Sequence, residues 1–164
     1  MIHLSFYLPE SGSAWRKTWD AAKQGDPAAA TEMDLRYKYF GANFELAVDD
    51  TEVVSRTRFV TLVDLALSLS GAAKRISLGE DAAFGFTESD EVIQLCQDGD
   101  LIAVSSSKRP VQAFVRREEL VREILIFLRE THSRLITEIP GLSANPVIQR
   151  IHPEWAACLG RSEE

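Results

Sequence analysis

The stretch from Arg116 to Ile139 limits what this chain can fold into more than any other. Leu120, Val121, Ile124, Phe127, Leu128, Leu135, Ile136 and Ile139 recur at three- and four-residue spacing, the signature of one helical face. Arg122, Glu123, Arg129, Glu130, Ser133 and Arg134 fall on the opposite face. Pro140-Gly141 ends the helix, because proline cannot donate to the ladder and glycine accepts the turn that follows. Such a helix is roughly 34 Å long at its usual rise per residue. It requires a broad apolar surface to cover.

Strand-like segments before it supply that surface. Ile2 to Leu8 reads as a short strand closed by Pro9, and Ser13 as the cap of a short helix reaching Gln24, with Trp15 and Trp19 four apart on one face. Gly25-Asp-Pro27 breaks that helix, and the alanines after it read as a connector. Leu35, Tyr37 and Tyr39 alternate with Arg36 and Lys38. After Gly41-Ala-Asn43, Phe44, Leu46 and Val48 alternate again, which predicts an antiparallel hairpin or one bulged strand. Asp49-Asp-Thr-Glu52 is then expected to lead into a second helix between Val53 and Ala73. Phe59, Val60, Leu62, Val63, Leu65, Ala66, Leu67 and Leu69 cover nearly its whole circumference, leaving Thr57, Thr61, Asp64 and Ser68 as a narrow polar line. A helix apolar almost all round belongs between layers.

Four strand candidates follow from Ala82: Phe84 to Phe86, Val92 to Gln97, Leu101 to Ser105 and Val111 to Val115. Asp98-Gly99 is the strongest hairpin signal among their connections. The expected fold is α+β: an antiparallel sheet of about five to seven strands, packed by a buried central helix and a long amphipathic C-terminal helix. The chain has 164 residues, 45% of them hydrophobic, enough for one domain with a sizeable core; residues 142–164 read as a tail pinned by Trp155 and frayed at its end.

The net charge is −7, from 18 basic and 25 acidic side chains. That balance argues against nucleic acid and against an anionic membrane surface as partners, both of which attract cations. No window is long and apolar enough to span a bilayer, and Met1 to Pro9 has no signal-peptide signature; a cytoplasmic location is the expectation. Cys96 and Cys158 have no metal-type spacing and read as a buried and a peripheral thiol. Phosphate-loop, dinucleotide-binding, zinc-protease and nucleophile-elbow motifs do not occur, so no cofactor and no metal are expected. His3, His132 and His152 are far apart in sequence; His132 sits on the apolar stripe of the long helix, where an imidazole at the edge of the core is the ordinary reading.

Asp64 is the acid that chemistry would use, because desolvation on an apolar helix raises a carboxyl pKa. Pairing with a nearby arginine, or simply facing solvent, is the competing expectation. Acidic residues also gather at predicted connections: Asp49, Asp50 and Glu52; Glu80 and Asp81; Glu88, Asp90 and Glu91; Asp98 and Asp100. Turns favour aspartate for backbone reasons. The functional reading is a docking patch built from Asp49, Asp50, Glu52, Glu88, Asp90 and Glu91 for a basic protein. Trp15 and Trp19 would then be aromatic anchors, although core packing of one or both is the ordinary alternative.

Leu35-Arg-Tyr-Lys-Tyr-Phe-Gly41, Leu62-Val-Asp-Leu-Ala-Leu67, Phe86-Thr-Glu-Ser-Asp90 and the Asp98-Gly99 hairpin resemble a pattern found in small acidic bacterial proteins. That group in turn resembles the immunity partners of polymorphic toxins. The resemblance runs from Leu35 to Gly141 and carries no catalytic signature. It implies a non-enzymatic protein-binding module that occludes the active site of a basic toxin domain. The rival expectations are a pocket between sheet and helices around Asp64, with His132 or Tyr37, and a homo-oligomeric structural protein.

Overall fold

A computed structural model describes residues 1–153, so Trp155 and Cys158 lie outside the described residues. The fold is α+β, with seven antiparallel strands among those residues. They divide between two sheets instead of forming one. The first sheet, in order β1-β2-β3, comprises β1 (Ile2–Tyr7), β2 (Gly41–Val48) and β3 (Thr51–Thr61). The second is a simple meander of β4 (Ala82–Phe86), β5 (Ser89–Asp98), β6 (Leu101–Ser106) and β7 (Gln112–Arg116).

Helix α1 (Ala14–Ala22) begins where expected, with the Ser13 hydroxyl accepting from the Arg16 N–H. Helix α2 (Glu32–Tyr37) replaces the strand expected over Leu35 to Tyr39. Three local features explain this: Thr31 caps it through the Asp34 N–H, Glu32 and Asp34 occupy its first turn, and Arg36 its last. Of the alternating apolar residues only Leu35 is buried; Tyr37 is 49% exposed, so the period of two was coincidental. Phe40, at φ +63°, turns the chain into β2, and Gly41 opens that strand instead of sitting in a hairpin turn.

The second correction concerns residues 49–61. Asp49 and Asp50 form the two-residue tip of the β2–β3 hairpin, in which Val48 faces Thr51 and Asp49 takes a φ of +51°. Val53, Val54, Thr57, Phe59 and Val60 are strand formers and lie in β3, so helix α3 (Leu62–Ser77) starts nine residues later than Val53. A continuous apolar run cannot by itself distinguish a buried strand from a buried helix. Helix α4 (Arg117–Glu138) and helix α5 (Pro146–Gln149) complete the chain's helices among the described residues, apart from single 3-10 turns at Pro27–Ala29 and Pro140–Ala144.

Helix α3 packs along α4, and α4 reaches across to β1. The inward faces of both sheets and both helices form one core. Phe44 of β2 is central to it, with its ring centroid 6.3 Å from Phe84, 6.2 Å from Phe86 and 5.8 Å from Phe127. No helix among the described residues is long and apolar enough to cross a membrane.

Candidate functional site

Strand β5 and helix α4 separate two ends of the molecule. At roughly 3.3 Å per residue, β5 holds its ends about 30 Å apart. One end collects most of the acidic turns. The backbone N–H of Ile2 donates to Glu119 Oε1 at 3.0 Å, and the Met1 amino group lies against Asp49 and 3.7 Å from Glu119. This brings the β2–β3 tip beside the first turn of α4. Arg117 then ties α4 to the β5–β6 tip, donating from its backbone to the Asp100 carbonyl at 3.4 Å and from Nη2 to the Gly99 carbonyl at 3.2 Å. Gln97 continues the chain of contacts: its N–H donates to Asp81 Oδ1 at 2.7 Å, and its side-chain amide to the Glu80 carbonyl at 3.0 Å.

Asp49, Asp50, Glu52, Glu80, Asp81, Asp98, Asp100, Glu118 and Glu119 therefore share one pole. Arg75, Arg116, Arg117 and the Met1 amino group lie among them, and the nine carboxylates outnumber these cations. Sequence adjacency could not show the convergence, because it depends on hairpin tips and helix ends meeting in space.

Glu88, Asp90 and Glu91 lie at the other end of β5 and do not join that pole. Asp90 is exposed and pairs with Lys108 at 2.9 Å, which holds its carboxyl below the usual range. Glu91 is 2% exposed, with its carboxylate enclosed by Arg58, Arg109 and Ser106. It cannot touch a partner in this arrangement. Glu88 is exposed as a residue, yet its carboxyl pKa is pushed up chiefly by lost hydration and further by the charge of Asp64, while bonds from its own backbone and Thr61 act the other way.

The two tryptophans also part. Trp19 is fully buried, with Nε1 donating to the Gly41 carbonyl at 2.8 Å and its ring edge-on to Phe40. It is a core residue. Trp15 is half-buried and stacks on Phe59, with centroids 5.1 Å apart and planes within 9°. Its ring passes so close to Gly41 that a Cβ there would lie 1.9 Å from Cε3. We expect Gly41→Ala to displace the indole and cost about 2 kcal/mol. Urea unfolding gives the loss, and a red-shifted tryptophan emission gives the displacement.

Asp64 meets the arginine that sequence reasoning offered as the alternative to chemistry. Oδ1 accepts from Arg36 Nε at 2.8 Å and Nη2 at 2.6 Å, and Oδ2 accepts from the Thr87 hydroxyl at 2.9 Å. Thr87 also bonds Thr61 at 3.1 Å, which explains two members of the polar line; Thr57 belongs to β3. Arg36 lies over the Tyr37 ring at 5.6 Å, whereas His132 lies beside His152, ring centroids 5.0 Å apart. Among the described residues no group of three His, Cys, Asp or Glu side chains is arranged to hold a metal ion.

A surface that sequence reasoning missed lies at the far end of β1 and α4 from the acidic pole. Tyr7 and Leu8 form a ridge between two open depressions. One, of about 690 Å³, is lined on its helix side by Arg129, Glu130, Ser133, Arg134 and Thr137. The other, of about 360 Å³, contains Trp15, Phe59, Asn43, Glu10 and Arg56, with the Arg56 guanidinium 4.8 Å from the Tyr7 ring centroid. Only the isolated Trp15 and the exposed arginines of α4 were legible signals for it.

The architecture defines a two-sheet α+β protein with an acidic pole and an aromatic, arginine-bearing pole. Comparison with protein-family models, with curated proteins and with solved structures finds no match.

Proposed function

We propose that this chain is a non-enzymatic protein-binding module whose acidic pole docks onto a basic partner, as an immunity protein does when it occludes the active site of a cognate bacterial toxin. The observation that carries the reading is the gathering of the β2–β3 tip, the β5–β6 tip, the α3–β4 connection and the start of α4 at one end. Acidic charge concentrated on protruding turns accelerates and orients encounter with a basic surface more than it deepens affinity. The saturation of Asp64 by Arg36 and Thr87 supports the same reading, since both carboxylate oxygens already have donors. The pattern resemblance from Leu35 to Gly141 supplies the partner class.

The partner-binding residues are accordingly Asp49, Asp50 and Glu52, joined by Asp98 and Asp100. Co-purification with a toxin encoded nearby, and rescue of cells expressing it, are the expected results. For that complex, Asp50→Lys combined with Glu52→Lys and Asp98→Lys is expected to slow association about tenfold at low salt. Asp90→Lys, at the opposite end, is expected to leave the rate unchanged. Equal rates for all these variants would remove the acidic pole from the interface.

A further inference from the structure

The outward face of the second sheet is a surface that neither pole explains. Burial alternates along β5, β6 and β7, so every second residue turns away from the core. The pairing register sets these residues in rows across the three strands. Asp98, Leu101 and Arg116 form the row nearest the β5–β6 tip. Cys96, Ala103 and Phe114 form the next, and Gln94, Ser105 and Gln112 the one after. Strand β4 adds only Ala83 and Gly85. Phe114 is 46% exposed and Leu101 37%, so the face is open. Asp98 and Arg116 are the charges in these rows, of opposite sign and held apart by β6. Among the described residues neither has an ion-pair partner. Asp90, farther along β5, is matched by Lys108 at 2.9 Å.

This pattern is complementary to itself. A half-turn about an axis along β6, midway between two facing sheets, lays β5 of one copy over β7 of the other and β6 over β6. Asp98 then meets Arg116 of the second copy, and Arg116 meets Asp98 of the second copy. The two side chains together span the separation of about 10 Å at which sheets pack. In the next row each Phe114 ring lies over the small Cys96 side chain, and on the axis Ala103 meets Ala103. Gln94 meets Gln112, and each amide offers both a donor and an acceptor. No row brings like charges together.

We infer that the outward face of the second sheet binds the same face of a second copy, giving a symmetric face-to-face dimer. The net charge of −7 disfavours contact between copies in general, whereas on this face the two signs cancel. A strongly basic or acidic partner has no reason to prefer such a face. The overlapped strands cover roughly 14 Å by 20 Å at ordinary strand spacing. That is small for a specific interface, so the dimer is weak. Of the residues assigned to the acidic pole it uses only Asp98, and it needs no basic partner. The two readings therefore fail separately.

The test is sedimentation equilibrium of the purified chain over about 5 to 500 µM, a range chosen because small interfaces are weak. The average mass is expected to rise from 18.3 kDa to that of two chains and to stop there, since a symmetric contact closes. Asp98→Arg sets like charges against each other on both sides of the axis, and so does Arg116→Asp. Each variant alone is expected to stay monomeric. An equimolar mixture of the two is expected to regain the two-chain mass, as is the chain carrying both substitutions, because opposite charges again face each other. Phe114→Asp is expected to abolish association. All three positions are exposed, and Arg116 is the N-cap of α4, where aspartate is preferred. Far-UV circular dichroism checks that folding is retained. Monomer mass throughout the series overturns the proposal. So does growth beyond two chains, dimerisation of any single variant to the parent's extent, or failure of the mixture to recover.

Discussion

Replacing Phe44 by alanine is expected to lower the unfolding free energy by about 4 kcal/mol. Phe44 has no exposed surface, and its ring meets Phe84 and Phe86 of the second sheet and Phe127 of α4. Three layers therefore converge on one side chain. Truncation removes the transfer contribution of the ring and leaves a cavity walled by other aromatic rings, which cannot collapse without shifting a sheet. Edge-on geometry between rings adds to the loss beyond buried area. Phe44→Leu keeps much of the volume and should cost less than half as much. Urea unfolding of the two variants at matched conditions checks both values. A loss for Phe44→Ala no greater than that of a surface substitution would show that the sheets do not share this core.

The second large effect is expected at Glu91. Its buried carboxylate, on β5, joins Arg58 of β3 to Ser106 of β6 and to Arg109 in the β6–β7 turn, so the contact links the two sheets through charge where Phe44 links them through packing. Glu91→Ala leaves two guanidinium groups facing each other. Arg109 Nη2 is already buried without a hydrogen-bond partner, which makes loss of the neighbouring carboxylate more costly. Removing one member of a buried ion cluster costs 3–5 kcal/mol on general grounds; the side chains of Arg58 and Arg109 are 28% and 39% exposed, so about 3 kcal/mol is expected.

Acid should act through the same group. Burial alone would raise the Glu91 pKa, but hydrogen bonds from Ser106 and Arg109 and the charges of Arg58 and Arg109 outweigh it and hold the value below the ordinary 4.5. The unfolded chain then binds this proton more readily than the folded one. The stabilisation is complete above pH 4.5 and is lost as pH falls through the depressed folded value. Glu88 has the opposite sign: its raised pKa contributes stability below 4.5 that disappears as pH climbs through its folded value. The Glu91→Gln variant should therefore lose stability at neutral pH and show a shallower acid limb than the parent. An acid limb of unchanged steepness would place the titration elsewhere.

Elements with a single strong local signal were legible in the chain. The long helix emerged within a residue of its expected start, because its apolar stripe persists over six turns. Ser13 capped α1, and Asp98-Gly99 turned a hairpin, because each places a side-chain oxygen or a permissive backbone where the geometry needs one. The errors fell where two local rules compete. Leu35, Tyr37 and Tyr39 satisfied a period of two, but a threonine cap and favourably placed charges made α2. The run from Val53 to Val60 suited either state, and pairing with β2 decided it. At the candidate site, aspartates were visible as turn formers, while their common pole was not. Glu91 looked like its exposed neighbours until two arginines from distant elements closed over it.

Composition, helical period and turn chemistry by themselves determined an acidic α+β chain with a long covering helix, since these depend on residues within one or two turns of each other. Tertiary structure alone decided the division into two sheets, the joining of acidic tips from residues 49 to 119 at one pole, and the arginine-flanked ridge at the other. Those arrangements rest on which hairpin ends and helix ends meet across the core. That choice is made by the packing of Phe44 and its neighbours, and no short-range pattern encodes it.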